Sequence, residues 1–253
     1  MSLQLPFKKS IHRTYNKTFL QGCLVIITYD KFETEDDFAN LWQSYCETAF
    51  GINAGAPDYL SGITFDSEDK SQQYFFSDTS AAVRFNIKGY KGFVDSVVPG
   101  IVRLVDFIKR VAKITLVKSI FLSKRNLWQT KSDLNSPHLR DAYINMLFSD
   151  AFLHDDCNIA QIEGNELSIG AFRKLQWTNK RESLSMLACF DPSNEIPNNG
   201  LARIALFSNY ILSSEEAEIP VDQIQTNLLE MNKTLFDAYE WSISDVVRQI
   251  MLS

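Results

Sequence analysis

The alternation of apolar and polar positions along this chain predicts the same succession of elements twice. Residues 19–29 form an almost unbroken apolar run rich in Val, Ile and Thr, the pattern of a buried strand. Thr34 then offers an N-cap ahead of Glu35, Asp36 and Asp37, carboxylates suited to the positive end of a helix dipole. Phe38, Leu41, Trp42, Tyr45 and Ala49 recur at helical spacing, and Gly51 is a natural stop. After turn chemistry at 55–58, short strands are predicted over 59–65, 72–77 and 81–87. A long helix follows through Phe93, Val97, Ile101, Leu104, Ile108 and Ala112. Pro99 must sit in its first turn or kink it, because proline cannot donate the ladder hydrogen bond.

The second half repeats the order. Residues 114–127 read as a strand, and Ser136-Pro137 as an N-cap followed by proline at the first helical position. Leu139, Ala142, Tyr143, Met146 and Leu147 are expected to form the buried stripe of that helix. Strands are predicted at 166–177, 183–190 and 201–212, with residues 191–200 as a turn-rich connection. The last helix opens after Pro220 and carries one apolar face through Val221, Ile224, Leu228, Met231, Leu235 and Ala238. Ser244-Asp245 can restart it as a final turn or two.

This order predicts an α+β protein of two similar halves, 1–113 and 114–253, packed together as one globular unit. Each half reads as strand, helix, three strands, long helix, and each antiparallel sheet must cover its apolar face with helices packed on one side. An internal repeat is suggested by element order alone, since the halves share no residue-level identity. With 45% hydrophobic and 22% charged residues among 253, the chain has ample material for a core without a disulfide framework. Cys23, Cys46, Cys157 and Cys189 form no CxxC pair, and a reducing compartment fits them. No signal-like segment and no apolar window of roughly 18 residues is seen, so a cytoplasmic protein with no membrane partner is expected.

The net charge of −6 is unevenly spread. Residues 1–126 hold 16 basic and 13 acidic side chains, whereas residues 127–253 hold 9 and 18. Unlike potentials at two surfaces can steer partners. Against the acidic whole, Lys109, Arg110, Lys113, Lys118, Lys124 and Arg125 concentrate positive charge in a short span, near Phe121 and Trp128. Such a set can track a phosphate backbone while an aromatic stacks on a base. The plainer reading gives Lys109, Arg110 and Lys113 to a helix C-terminus and places Lys118 and Lys124 together on a solvated side of the strand. Arg125 and Asn126 at a strand end can organise carboxylates or tie down loop carbonyls.

His154, Asp155, Asp156 and Cys157 are the densest metal-capable group, although a zinc site needs three or four ligands converging in space. The plainer reading is a polar loop with His154 at a helix C-terminus. Acidic residues 215–218 read as a solvated loop. No GxSxG, HExxH, Walker or dinucleotide glycine motif occurs. Neither a cofactor nor a catalytic residue is therefore expected.

Three segments carry a resemblance. They are Tyr15-Asn16-Lys17-Thr18-Phe19-Leu20; the run from Ser119 to Trp128; and the C-terminal set Asn232, Phe236, Glu240, Ile243, Ser244, Asp245, Arg248 and Met251. In layout they resemble a sporadically distributed prokaryotic family of uncharacterised proteins of similar length. This chain departs from that pattern at Ser123, where arginine is usual, and at Arg125, where an apolar residue is usual. The resemblance implies an arrangement without a reaction, and a patchy distribution like that of accessory and defence-associated genes. The expected function is a non-catalytic interaction or regulatory component with a protein partner or a second copy. A nucleic-acid-binding protein using residues 109–125 is the first alternative, and a metal-dependent hydrolase around His154, Asp155 and Asp156 the second.

Overall fold

A computed structural model describes residues 3–7, 15–31, 63–67, 71–86, 90–131, 134, 136–190 and 202–253. The helix expected after Thr34, the turn at 55–58, the connection at 191–200, Cys46 and His12 lie outside them. Ten strands are formed by the described residues: β1 (Leu20–Thr28), β2 (Ile63–Asp66), β3 (Gln72–Phe76), β4 (Ser80–Asn86), β5 (Leu116–Val117), β6 (Ser119–Thr130), β7 (Ala171–Thr178), β8 (Glu182–Phe190), β9 (Ala202–Ser213) and β10 (Ile219–Pro220). Six α-helices join them: α1 (Val98–Arg110), α2 (Pro137–Leu147), α3 (Asp150–Leu153), α4 (Gly164–Ser168), α5 (Ile224–Ser242) and α6 (Asp245–Leu252). The protein is α+β with an antiparallel main sheet.

Where the spacing predicts a sheet for each half, there is one continuous sheet of eight strands in the order β2-β3-β4-β1-β6-β9-β8-β7. Each half contributes a first strand paired with its own last strand. β1 and β6 then pair antiparallel through the middle, from Cys23 opposite Lys124 to Thr28 opposite Ser119. Reading outward from that seam, the two halves have the same strand order. The seam removes two edges that separate sheets would have left open to pairing with other chains.

Strand alternation sends Cys23, Val25 and Ile27 of β1, Ile120 and Leu122 of β6, and Leu184 and Met186 of β8 to one face, where all are buried. Helices α1 and α5 cover that face with Ile101, Leu104, Phe107 and Ile108, and with Leu228, Met231 and Leu235. Phe76 meets Phe107 at 4.2 Å between ring centroids, tying β3 to α1. α1 is preceded by a π-helical turn at Phe93–Val97, and Pro99 falls in its first turn, where its missing N–H removes no ladder bond. Gly100 lets α1 approach β4 closely: a Cβ there would lie 2.7 Å from the Phe85 ring.

Three expectations need correcting. Residues 166–177 are not one strand. Glu163 and Glu166 form a reciprocal capping box that starts α4, Gly170 at φ 68° turns the chain, and only then does β7 begin. The strand predicted over 114–127 is two pieces, β5 pairing with β10 and β6 entering the main sheet. In α2 the stripe is not buried: Leu139 and Met146 are 49% and 39% exposed, and Leu147 alone is buried. That helix is tied down instead at its end, where Ser244 Oγ and N–H donate to the Met146 and Leu147 carbonyls.

Candidate functional site

The basic span does not form one surface. Lys109 pairs with Asp222, Arg110 Nε lies 2.6 Å from Asp106, and Lys118 Nζ lies 2.6 Å from Asp30. Lys113 is an exposed residue at φ 55° just beyond α1. Lys118 and Lys124 do not share a solvated side, because Lys118 precedes β6 at the rim whereas Lys124 alternates with Leu122 and Asn126 toward the helix layer. Arg125 points to the opposite face, its guanidinium 5.6 Å from the Phe207 ring centroid. Asn126 is 6% exposed, and Trp128 is buried among Phe19, Phe148 and Tyr239. Alternation along one strand thus divides these groups between two faces.

The acidic–histidine loop is organised by local hydrogen bonds. His154 caps α3 through its own N–H to the Asp150 carbonyl. Asp155 Oδ1 accepts from the N–H groups of Cys157 and Asn158, and both its oxygens accept from the Asn158 amide. Arg173 binds the Asp155 and Phe152 carbonyls. Asp156 and Cys157 are exposed. Among the described residues no three His, Cys, Asp or Glu side chains are placed to hold a metal ion.

A cleft that no local motif announced lies between the sheet and the helices, with a volume of about 750 Å³. Lys124 and Asn126 of β6 form its floor. Phe93 of the π-helical turn, Tyr239 of α5 and Met251 of α6 contribute walls, and residues 15–18 cross its mouth. That crossing segment is held to α6, because the N–H groups of Asn16 and Lys17 donate to the Met251 carbonyl and the Asn16 amide donates to that of Leu252. Tyr15 donates to Glu240, which also faces Arg248 at 3.6 Å. Met251 Sδ in turn accepts from the Tyr239 hydroxyl at 3.3 Å.

Lys124 is the unusual member of this set. Its Nζ donates to Asn232 Oδ1 of α5 and sits 5.6 Å above the Phe93 ring. Burial lowers its pKa to about 8, with Cys23 acting in the other direction. Burial pushes the Cys23 thiol itself up to about 12, with Lys124 acting in the other direction. Tyr239 is raised by burial, and Tyr90 by burial and then by Cys23. Near neutral pH the floor of the cleft therefore carries one ammonium among neutral phenols and a neutral thiol. An amine in such a place can bind an anion. The sequence signals only a charge on a strand; its inward direction follows from the register with Cys23.

The face opposite the helices has its own pattern. Register places Phe75, Ala82, Ile26, Phe121 and Ile211 side by side across β3, β4, β1, β6 and β9. One flanking row is Gln73, Arg84, Leu24, Ser123 and Asn209, and the other is Ser80, Thr28, Ser119 and Ser213. Thr28 and Ser119 hydroxyls lie 2.6 Å apart within the second row. Phe75, Ile26 and Phe121 are partly exposed, Ile211 is 40% exposed, and Ala82 between Phe75 and Ile26 is buried. Among the described helices, α4 stands at the far edge of this face, where Glu166 pairs with Lys174 of β7. No family model matches the chain, and no curated protein matches it.

Proposed function

We propose that this protein is a non-catalytic interaction component in which the sheet face opposite α1 and α5, left uncovered along the Phe75–Ile211 row by the described helices, receives an amphipathic helix from a protein partner. The observation that carries the reading is the apolar row from Phe75 to Ile211, bordered on one side by a polar row and on the other by a row that is polar except at Leu24. Five strands at about 4.8 Å spacing make that row about 19 Å long. This is the length of about 13 helical residues at 1.5 Å each, a helix of ordinary size. An amphipathic helix has one apolar stripe with polar flanks, so it fits the row lengthwise and leaves its polar sides against the Gln, Arg, Ser and Thr rows. Arg84, exposed on one flank, favours an acidic side chain on that side of the partner. The resemblance to a patchily distributed prokaryotic family fits an accessory, defence-type setting for such a component. Dispersal of the 109–125 cations over several surfaces leaves the nucleic-acid reading with less support than their closeness along the chain suggests.

The test pairs the wild type with a chain carrying Ile26→Glu and Phe121→Glu, both expressed in the native host. The wild type is expected to co-purify with a discrete protein that survives nuclease treatment, and the variant to lose it while melting as one cooperative unit. A nuclease-sensitive associate would replace the reading with nucleic-acid binding. Equal retention by the folded variant would remove it.

A further inference from the structure

On the other face of the sheet, we infer that the cleft over Lys124 is a binding site for a small organic monoanion, a carboxylate borne on a flat aromatic or similarly apolar body. Its volume of about 750 Å³ lies within the range of about 300–1,000 Å³ usual for small-molecule sites. The lining combines an apolar and aromatic wall with the polar pair Lys124 and Asn126 of β6 and with polar side chains from residues 16–18, Lys91 and Asp95. Phe93, Phe236 and Tyr239 supply ring surface, while Lys124 and Asn126 supply polar atoms together on the floor.

The charge type follows from the donors. An ammonium has three N–H groups, and among the described residues Asn232 takes one of those of Lys124. One cation and one neighbouring amide match the single charge and two oxygens of a carboxylate. A phosphate dianion is ordinarily met by an arginine fork or by a helix start free of acidic side chains; the lining holds no arginine, and the start of the π-helical turn that borders the cleft carries the Asp95 carboxylate. Around the rim, Lys17 and Lys91 face outward against Asp95, which favours entry of an anion. The other titratable groups facing Lys124 are Cys23 from β1, Tyr90 ahead of the π-helical turn, and Tyr239 from α5; all three are held neutral at pH 7 by their raised values. Without a ligand, a largely desolvated ammonium with one acceptor, Asn232, among the described residues is a costly arrangement, and a bound carboxylate would offset that cost.

The probes are 2-naphthoate and its neutral analogue 2-naphthamide, titrated calorimetrically into the full chain and into Lys124→Met. Wild type is expected to bind the naphthoate at pH 7, to bind the naphthamide more weakly, and to lose naphthoate affinity as pH rises through 8. Lys124→Met should lower naphthoate affinity about tenfold or more, in keeping with one charge-assisted pair, and leave naphthamide unchanged. As a second readout, naphthoate should shift the Lys124 resonance in protein whose lysines carry ¹³C-methyl groups. Undetectable naphthoate binding at millimolar concentration, equal affinity in Lys124→Met, or an unmoved Lys124 resonance at saturation would each overturn the assignment. Because the probes and Lys124 lie on the helix-covered side, these outcomes are separate from those of the partner experiment.

Discussion

Replacing Lys124 by methionine should stabilise the protein near neutral pH, although it removes a hydrogen bond to Asn232 and the contact over Phe93. The reason is the direction in which burial moves its pKa. A lysine held at about 8 in the folded chain, against an ordinary value of 10.5, is a charge the fold disfavours. Each tenfold loss of proton affinity corresponds to about 1.4 kcal/mol, so holding the ammonium below pH 8 costs the fold roughly 3 kcal/mol. Methionine has similar length and fills the same space without charge. Loss of the Asn232 bond returns about 1 kcal/mol, leaving an expected gain of about 2 kcal/mol at pH 7. The sign of the pH dependence is fixed. Between about 8 and 10.5 the unfolded chain holds a proton that the folded chain has released, so wild-type stability rises with pH there and the advantage of Lys124→Met shrinks. Urea denaturation of both chains at half-unit steps from pH 6.5 to 9.5 measures this, the other titrating groups being common to both. A variant less stable than wild type at pH 7, or a difference independent of pH, would show that the enclosed ammonium is no burden on the fold.

Other consequences can be checked independently. Gly100→Ala should lower stability by about 1 kcal/mol: helix propensity alone would favour alanine by about that amount, but overpacking against the buried Phe85 ring costs about 1–3 kcal/mol; a urea midpoint above wild type would contradict the close approach of α1 to β4. Glu166→Gln should cost about 1 kcal/mol at pH 7 through the Lys174 pair, since glutamine can still accept from the Glu163 N–H. Burial raises the Glu166 pKa, but the Lys174 hydrogen bond, the Glu163 N–H and the Lys174 charge together hold it below its ordinary value. The difference from wild type should therefore be complete above the usual glutamate range and vanish as pH falls through the lowered native value, which denaturation at several acidic pH values would follow. Among the described cysteines, a thiol reagent at pH 8 should modify the exposed Cys157 quickly and the buried Cys23 only after unfolding, as peptide mass mapping would reveal. Rapid modification of Cys23 in native protein would contradict its enclosure beside Lys124.

Much of the architecture is legible where a single period governs a long segment. The apolar run at 19–29 contains β1, and the three-and-four spacing after Pro220 is α5 with its buried Leu228, Met231 and Leu235. Expectation and structure part where two patterns overlap within a few residues. In 166–177 Glu166, Leu167 and Ser168 belong to α4 and the residues from Ala171 onward to β7, and their sum imitates one strand. For α2 the periodicity is real, yet Leu139 and Met146 stay 49% and 39% exposed. Whether an apolar face meets a partner surface is a tertiary fact that periodicity does not contain.

The cleft is illegible for a different reason. Its lining runs from Tyr15 to Met251, so no window of sequence includes it. Lys124 itself stands out in the sequence only as one of six neighbouring cations. Its separation from Arg125 depends on which side of β6 meets α5, and that is set by Leu122 and Trp128 around it. The apolar row on the face opposite α1 and α5 is equally hidden, since its members come from five strands and become neighbours only through register.

The most direct examination of the two-faced sheet is photo-crosslinking in living cells, with a benzophenone amino acid placed at Phe121 on the face opposite α1 and α5 or at Val102 on the outer side of α1, which is 50% exposed. A helix docked along the apolar row should give a discrete protein adduct from position 121, lost when Ile26→Glu is added, and none from position 102. Adducts of equal yield from both positions, or from 102 alone, would mean that the face bearing Phe121 is not where the partner sits.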